Sequence, residues 1–187
     1  KDLCQLIKLQ LEDKFNIHIA NNGVEGLKKV HLYHPDIVVT DQMMPEMDGL
    51  EMLQSIRKDF QISHIPVIIL TAKNDEGAKT KAITLGANAY ITKPFSKEYL
   101  LARIDQLLSE RLLFRERIRL QMENQKTTEE DSYEQYLVKK DVQFLEKIHQ
   151  VIEENMDDSD FNIDTIASGI GLSRSAFFKK LKSLTGL

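Results

Sequence analysis

The sequence predicts an α/β protein: a doubly wound parallel sheet, a long helix after its last strand, and then a small all-α unit. Three observations point there. The runs Ile37–Asp41 (IVVTD) and Pro66–Ala72 (PVIILTA) are β-branched and continuously apolar, as strands covered on both faces are. They alternate with helical segments, an order that builds a parallel sheet with right-handed crossovers. All four prolines, Pro35, Pro45, Pro66 and Pro94, lie in the first half, each beside a short apolar run.

In chain order, KDLCQLIKLQL reads as a first helix, and Phe15–Ala20 (FNIHIA) alternates like a strand. VEGLKKVHLYH follows as a helix, IVVTD as a strand and GLEMLQSIRKDF as a helix. PVIILTA is the next strand, and EGAKTKAITLGA is a helix that Gly86 stops. NAYITKP (Asn88–Pro94) closes the sheet. From Ser96 to Met122 no breaker occurs, and Leu101, Ile104, Leu108 and Leu112 recur at helical spacing. The first half of this helix is expected to cover the sheet and the rest to project as a lever or dimer stem.

Glu123–Tyr136 is polar and acidic without apolar period, the pattern of a linker. Beyond it Phe144, Leu145, Ile148, Val151 and Ile152 share one helix side. Two short helices follow around a turn at Gly171, with Asn162 and Ser173 placed as N-caps.

Composition narrows the function classes. The 187 residues are 42% hydrophobic and 29% charged with a net charge of −4, so DNA contact requires a local basic patch. Cys4 is the only cysteine, which excludes an internal disulfide or thiolate cluster and fits a cytoplasmic location. No apolar run approaches the roughly 18 residues of a membrane span, so no membrane contact is expected of this segment. His31 and His34 share a helix face but lack a third metal ligand, and no glycine-rich phosphate loop occurs.

The candidate chemistry lies at strand ends, where open parallel sheets bind ligands. Asp41, Thr71 and Lys93 each close a different strand. A carboxylate nucleophile, a hydroxyl donor and a fixed cation suit phosphoryl transfer to an acyl oxygen. Asp41, Pro45, Asp48-Gly49, Thr71-Ala72 and Lys93-Pro94-Phe95 together resemble the receiver domain of bacterial response regulators, a flavodoxin-like fold, over roughly residues 1–108. The resemblance implies that Asp41 accepts a phosphoryl group from a phosphohistidine. Lys93 then pairs with the new charge, Thr71 swings to a phosphoryl oxygen, and Tyr90 fills the vacated space.

The resemblance also implies Mg²⁺, held by Asp41, the backbone carbonyl of Met43 and an acidic pair on a first strand. The sequence opens on what reads as the first helix, so that strand and its pair are expected to be missing, leaving an open centre in the sheet. Asp2 falls in the first helical turn and reads as an N-terminal helix acid. Mg²⁺ is accordingly expected of the intact receiver rather than of this segment alone.

At the other end, LSRSAFFKKLKSLTG carries Arg174, Lys179, Lys180 and Lys182 with no acid from Leu172 onward. With Phe177, Leu181 and Leu184 packed inward, Arg174, Ser175, Phe178, Lys179 and Lys182 are left for a partner. Ile166-Ala167, Gly171, Ser173-Arg174-Ser175 and Thr185-Gly186 resemble the first helix-turn-helix of the AraC family, over about Val142–Leu187. That resemblance implies base contacts by Ser175, Phe178 and Lys179 and phosphate contacts by Arg174 and Lys182.

The resulting expectation is a receiver at 1–108, an extended helix and linker at 109–138, and a partial AraC-type domain at 139–187. Its partners are a histidine kinase, or a kinase domain of the same polypeptide, then DNA and a second copy of the chain. No small-molecule substrate is expected. This segment is then a phosphoryl acceptor and not itself an enzyme, whereas a hybrid sensor histidine kinase is an alternative parent. A degenerate receiver that only dimerises is the other alternative. A haloacid-dehalogenase-type phosphatase expects a second Asp where Met43 stands.

Overall fold

The computed structural model describes residues 2–72, 76–124, 135–156 and 161–185. They fall into two compact units, Lys1–Arg111 and Leu112–Leu187.

In the first unit, three parallel strands, β1 (Val38–Asp41), β2 (Val67–Ala72) and β3 (Ala89–Lys93), lie in the order β1-β2-β3. The helices around them are α1 (Asp2–Leu11), α2 (Gly23–Tyr33), α3 (Gly49–Lys58), α4 (Glu76–Thr84) and the part of α5 (Lys97–Asn124) up to Arg111. Side chains alternate across a strand, so β2 feeds two cores. Val67 and Ile69 pack with Val30, Leu53, Ile56 and Ala82, while Ile68 and Leu70 pack with Leu11, Leu100, Ile104 and Leu107. Helices therefore cover both faces, and the doubly wound parallel sheet is as expected. β2 is the central strand and is buried from Val67 to Thr71, which explains its unbroken apolar run.

The segment Phe15–Ala20 is not a strand. Its alternation specifies faces but cannot supply a neighbour, and among the described residues β1 pairs with β2 alone. Phe15 and Ile17 still pack on the core beneath α1 and α5. The Lys29 ammonium donates to the Ile19 carbonyl, and His18 stacks on Tyr33 at 3.8 Å.

The inward stripe of α5 is also shifted from the sequence reading. Leu100, Ile104 and Leu107 are buried, Leu101 and Leu108 are half-buried, and Leu112 is 60% exposed. A helix drifts off any single spacing pattern, and 100/104/107 is the alternative i, i+4, i+7 set.

In the second unit, α6 (Gln135–Glu154) packs on α7 (Ile163–Gly169), and α7 on α8 (Arg174–Thr185). α6 begins within the stretch read as linker, of which residues 125–134 lie outside the described residues. Asn162 caps α7 by accepting from the backbone N–H groups of Asp164 (2.9 Å) and Thr165 (3.2 Å). The Ser173 hydroxyl accepts from Ala176 N–H at 3.3 Å at the start of α8. Gly171 turns the chain at φ 74°, a left-handed conformation that a β-carbon disfavours. Phe144, Ala167, Ile170, Phe177 and Leu184 are buried in this unit.

Candidate functional site

Parallel pairing fixes where the strands end. Asp41 lies opposite Leu70, Thr71 opposite Thr92 and Ala72 opposite Lys93, so all three predicted groups stand at the carboxyl end of the sheet. The Lys93 ammonium donates to the Asp41 carboxylate, each side chain being 30% exposed. The other carboxylate oxygen accepts from the Met43 backbone N–H at 3.2 Å. Thr71 is 1% exposed, and its hydroxyl donates to the side-chain oxygen of Gln42, the residue after Asp41. Tyr90 is half-buried in the same core as Ile69, its partner across the ladder. With side chains alternating, Tyr90 and Thr71 share one face of the sheet.

The loop after Asp41 explains the crowding of Pro45, Asp48 and Gly49. Asp48 caps α3 by accepting from Glu51 N–H at 2.7 Å, and Glu51 reaches back to the Asp48 N–H at 3.0 Å. Gly49 donates its N–H to the Gln42 carbonyl at 3.0 Å, and a β-carbon on it would stand 2.2 Å from the Asp41 carbonyl oxygen. Glycine is what lets α3 start against the Asp41 backbone. Glu46 turns the loop at φ 65°, and its carboxylate accepts from the Asn22 amide at 2.8 Å.

A divalent cation such as Mg²⁺ takes oxygen ligands, usually one or two carboxylates with waters. Among the described residues no three His, Cys, Asp or Glu side chains converge, and the Asp41 carboxylate is already held by Lys93 and Met43. These residues alone do not make such a site.

A family model for the response regulator receiver domain matches residues 1–105. The chain belongs to the response regulator receiver family. Its receiver resembles a receiver domain protein from Clostridium thermocellum, with a TM-score of 0.56 and 31% identity over 60% of this chain and 90% of that one. The chain is 33% identical over 187 residues to the protein named histidine kinase P4 of Formosa agariphila, covering 99% of this chain and 13% of that protein. Over 109 residues it is 36% identical to the alkaline phosphatase synthesis transcriptional regulatory protein PhoP of Bacillus subtilis, covering 58% of this chain and 45% of that protein. It thus spans less than half the length of either curated relative. Among the described residues no helix of this receiver chain is long and apolar enough to cross a membrane.

On α8, Arg174, Ser175, Phe178, Lys179 and Lys182 are exposed and Phe177 and Leu184 are buried. Lys180, one of the four basic residues of α8 but not one of those left for a partner, lies on the packing side. It is 1% exposed, with its ammonium 3.4 Å from the buried Asp141 and over the Phe144 ring. The signal was present, because Phe177, Lys180 and Leu184 are spaced i, i+3, i+7 on the packing face. Arg174 is paired with Asp164 at 3.1 Å and lies 5.9 Å from the Phe178 ring centre.

Proposed function

We propose that the chain is the phosphorylation-controlled regulatory part of a two-component phosphorelay in the cytoplasm, acting on transcription. The Asp41–Lys93 pair at the strand ends, with Thr71 on the intervening strand, carries this reading. An Asp41 carboxylate oxygen attacks the phosphorus of a phosphohistidine, the new O–P bond forms as the N–P bond breaks, and the imidazole leaves with its electron pair. Lys93 offsets the charge of the acyl phosphate. The Thr71 hydroxyl then turns to a phosphoryl oxygen and Tyr90 follows it inward, changing the surface near β3 and α5.

The output is DNA binding by an AraC-type unit within 139–187, after a receiver at 1–108 and a connecting helix and linker at 109–138. Its support is that Arg174, Ser175, Phe178, Lys179 and Lys182 are exposed on α8; in this reading Ser175, Phe178 and Lys179 meet bases and Arg174 and Lys182 meet phosphates. The exposed Leu112 and Leu113 on α5 support a homodimer whose geometry the receiver sets. The match of nearly the whole chain to a histidine kinase favours a second reading of the parent, a hybrid kinase with its regulator in the same polypeptide.

Intact mass after incubation with a small phosphodonor and Mg²⁺ tests the acceptor step. The samples are this chain, the chain extended by an N-terminal strand bearing two carboxylates, and each with Asp41→Asn. A phosphoryl adduct that Asp41→Asn abolishes supports the reading, with Mg²⁺ supplied through Asp41, the Met43 carbonyl and the added carboxylates. No adduct on either folded protein overturns it and leaves a dimerisation module.

A further inference from the structure

The Gln42 side chain follows the acceptor and is 7% exposed, yet the phosphoryl step gives it no role. Its backbone is tied on both sides, by an N–H bond to the Leu70 carbonyl at 2.8 Å and by the bond from Gly49 N–H to its own carbonyl at 3.0 Å. Its backbone is therefore held in place relative to β2, and its nearly buried side-chain oxygen accepts the Thr71 hydroxyl proton. Among the described residues the other acceptor near that hydroxyl is the Ala72 carbonyl at 3.4 Å, a weak contact at best.

A threonine hydroxyl has one proton to donate. It can go to Gln42 or to a phosphoryl oxygen on Asp41, but not to both. We propose that Gln42 is a positioning residue that holds Thr71 in the resting arrangement, so that switching requires the phosphoryl group to outcompete the Gln42 amide oxygen. This rests on the acceptor reading of Asp41. The bond sets the resting-to-switched ratio, because a group that binds one state only shifts the balance by its differential interaction.

The test compares the chain with Gln42→Leu, which keeps bulk but removes the acceptor, with Thr71→Val, which removes the donor, and with the double variant. Without phosphodonor, the Thr71 hydroxyl proton is expected as a slowly exchanging NMR signal in the parent that disappears in Gln42→Leu. With phosphodonor, the ratio of phosphorylated to unphosphorylated Gln42→Leu should rise roughly five-fold, the equilibrium equivalent of one ordinary net hydrogen bond. In the Thr71→Val background, Gln42→Leu should change nothing. An equal change in both backgrounds overturns the proposal, since Gln42 then acts by packing alone. A hydroxyl signal that survives Gln42→Leu overturns it too. For the phosphodonor arm the parent and its variants carry the N-terminal strand bearing two carboxylates, and absence of any adduct on that folded parent is a separate failure: it removes the acceptor reading, and the competition with it, even where the hydroxyl signal is present.

Discussion

The ammonium of Lys93 donates to the carboxylate of Asp41 across two strands that do not pair with each other, since β2 runs between β1 and β3. The contact thus depends on the order of the whole sheet. At 30% exposure on each side it lies between a surface pair and a buried one. Lys93→Met and Asp41→Asn are each expected to cost about 1–2 kcal/mol, between the ranges for exposed and buried pairs. Urea unfolding of the two single variants and the double variant checks this, and a coupling energy near zero would show that the pair does not hold the sheet ends together.

Gly49 ties the start of α3 to the backbone of Asp41. Any β-carbon there meets the Asp41 carbonyl oxygen, a backbone atom that cannot rotate aside. Gly49→Ala should therefore cost about 1–3 kcal/mol, the usual range for overpacking. It should also weaken the Lys93–Asp41 contact, read as a smaller coupling in the same double-variant cycle. An alanine tolerated with unchanged stability and coupling would mean that α3 shifts freely.

How much of this was legible beforehand varies by residue. β1, β2 and β3 were readable because parallel strands covered on both faces are written as unbroken β-branched runs, and the meeting of Asp41 with Lys93 followed from strand ends alone. Phe15–Ala20 misled because alternation records burial, whereas a strand also needs a partner edge. Gln42 was invisible, since its role lies in a side-chain bond to a residue 29 positions away. Lys180 falls by helical spacing on the side of Phe177 and Leu184, away from the residues left for a partner, whereas its pairing with Asp141, 39 positions away, has no local signature.

Glu25, in the first turn of α2, is held down by the Lys29 ammonium and then by the Asn21 backbone N–H, from its ordinary 4.5 to about 2. A carboxyl with a depressed folded value stabilises the fold above its ordinary value and loses that contribution as pH falls through the folded one. The Glu25 carboxyl carbon, followed by NMR, is expected to titrate near pH 2, and the amide shifts of α2's first turn should move with it below about pH 4. Titration at the ordinary value would show that the Lys29 contact is not kept in solution.

Asp164 lies beside Arg174 at the entrance to α8, with both side chains 60% exposed. Such a pair is worth about 0–1 kcal/mol, so Asp164→Asn should leave the unfolding midpoint nearly unchanged. It removes the negative charge beside Arg174 and releases the guanidinium. Under the proposed output, DNA affinity at low salt should rise, and the logarithmic salt slope should steepen by about 0.9, one phosphate contact. Fluorescence anisotropy at several salt concentrations measures both, and an unchanged slope would take Arg174 off the DNA-facing surface.

The buried Lys180–Asp141 pair makes the opposite prediction, large in stability and silent in recognition. Lys180 is fully enclosed and Asp141 nearly so, so both charges are largely withdrawn from solvent. Lys180→Met removes a cation from beside the buried Asp141 carboxylate and should destabilise the Leu112–Leu187 unit, by up to about 3–5 kcal/mol. The double variant Lys180→Met/Asp141→Leu should recover most of that loss, because two apolar side chains of similar volume avoid the desolvation of both ions. Had Lys180 been part of a phosphate-binding face, its removal would lower DNA affinity and leave stability alone. Thermal unfolding and DNA titration of the two variants separate these outcomes: a destabilised single variant, a restored double variant and an unchanged salt slope for that double variant assign Lys180 to the core of the helical unit.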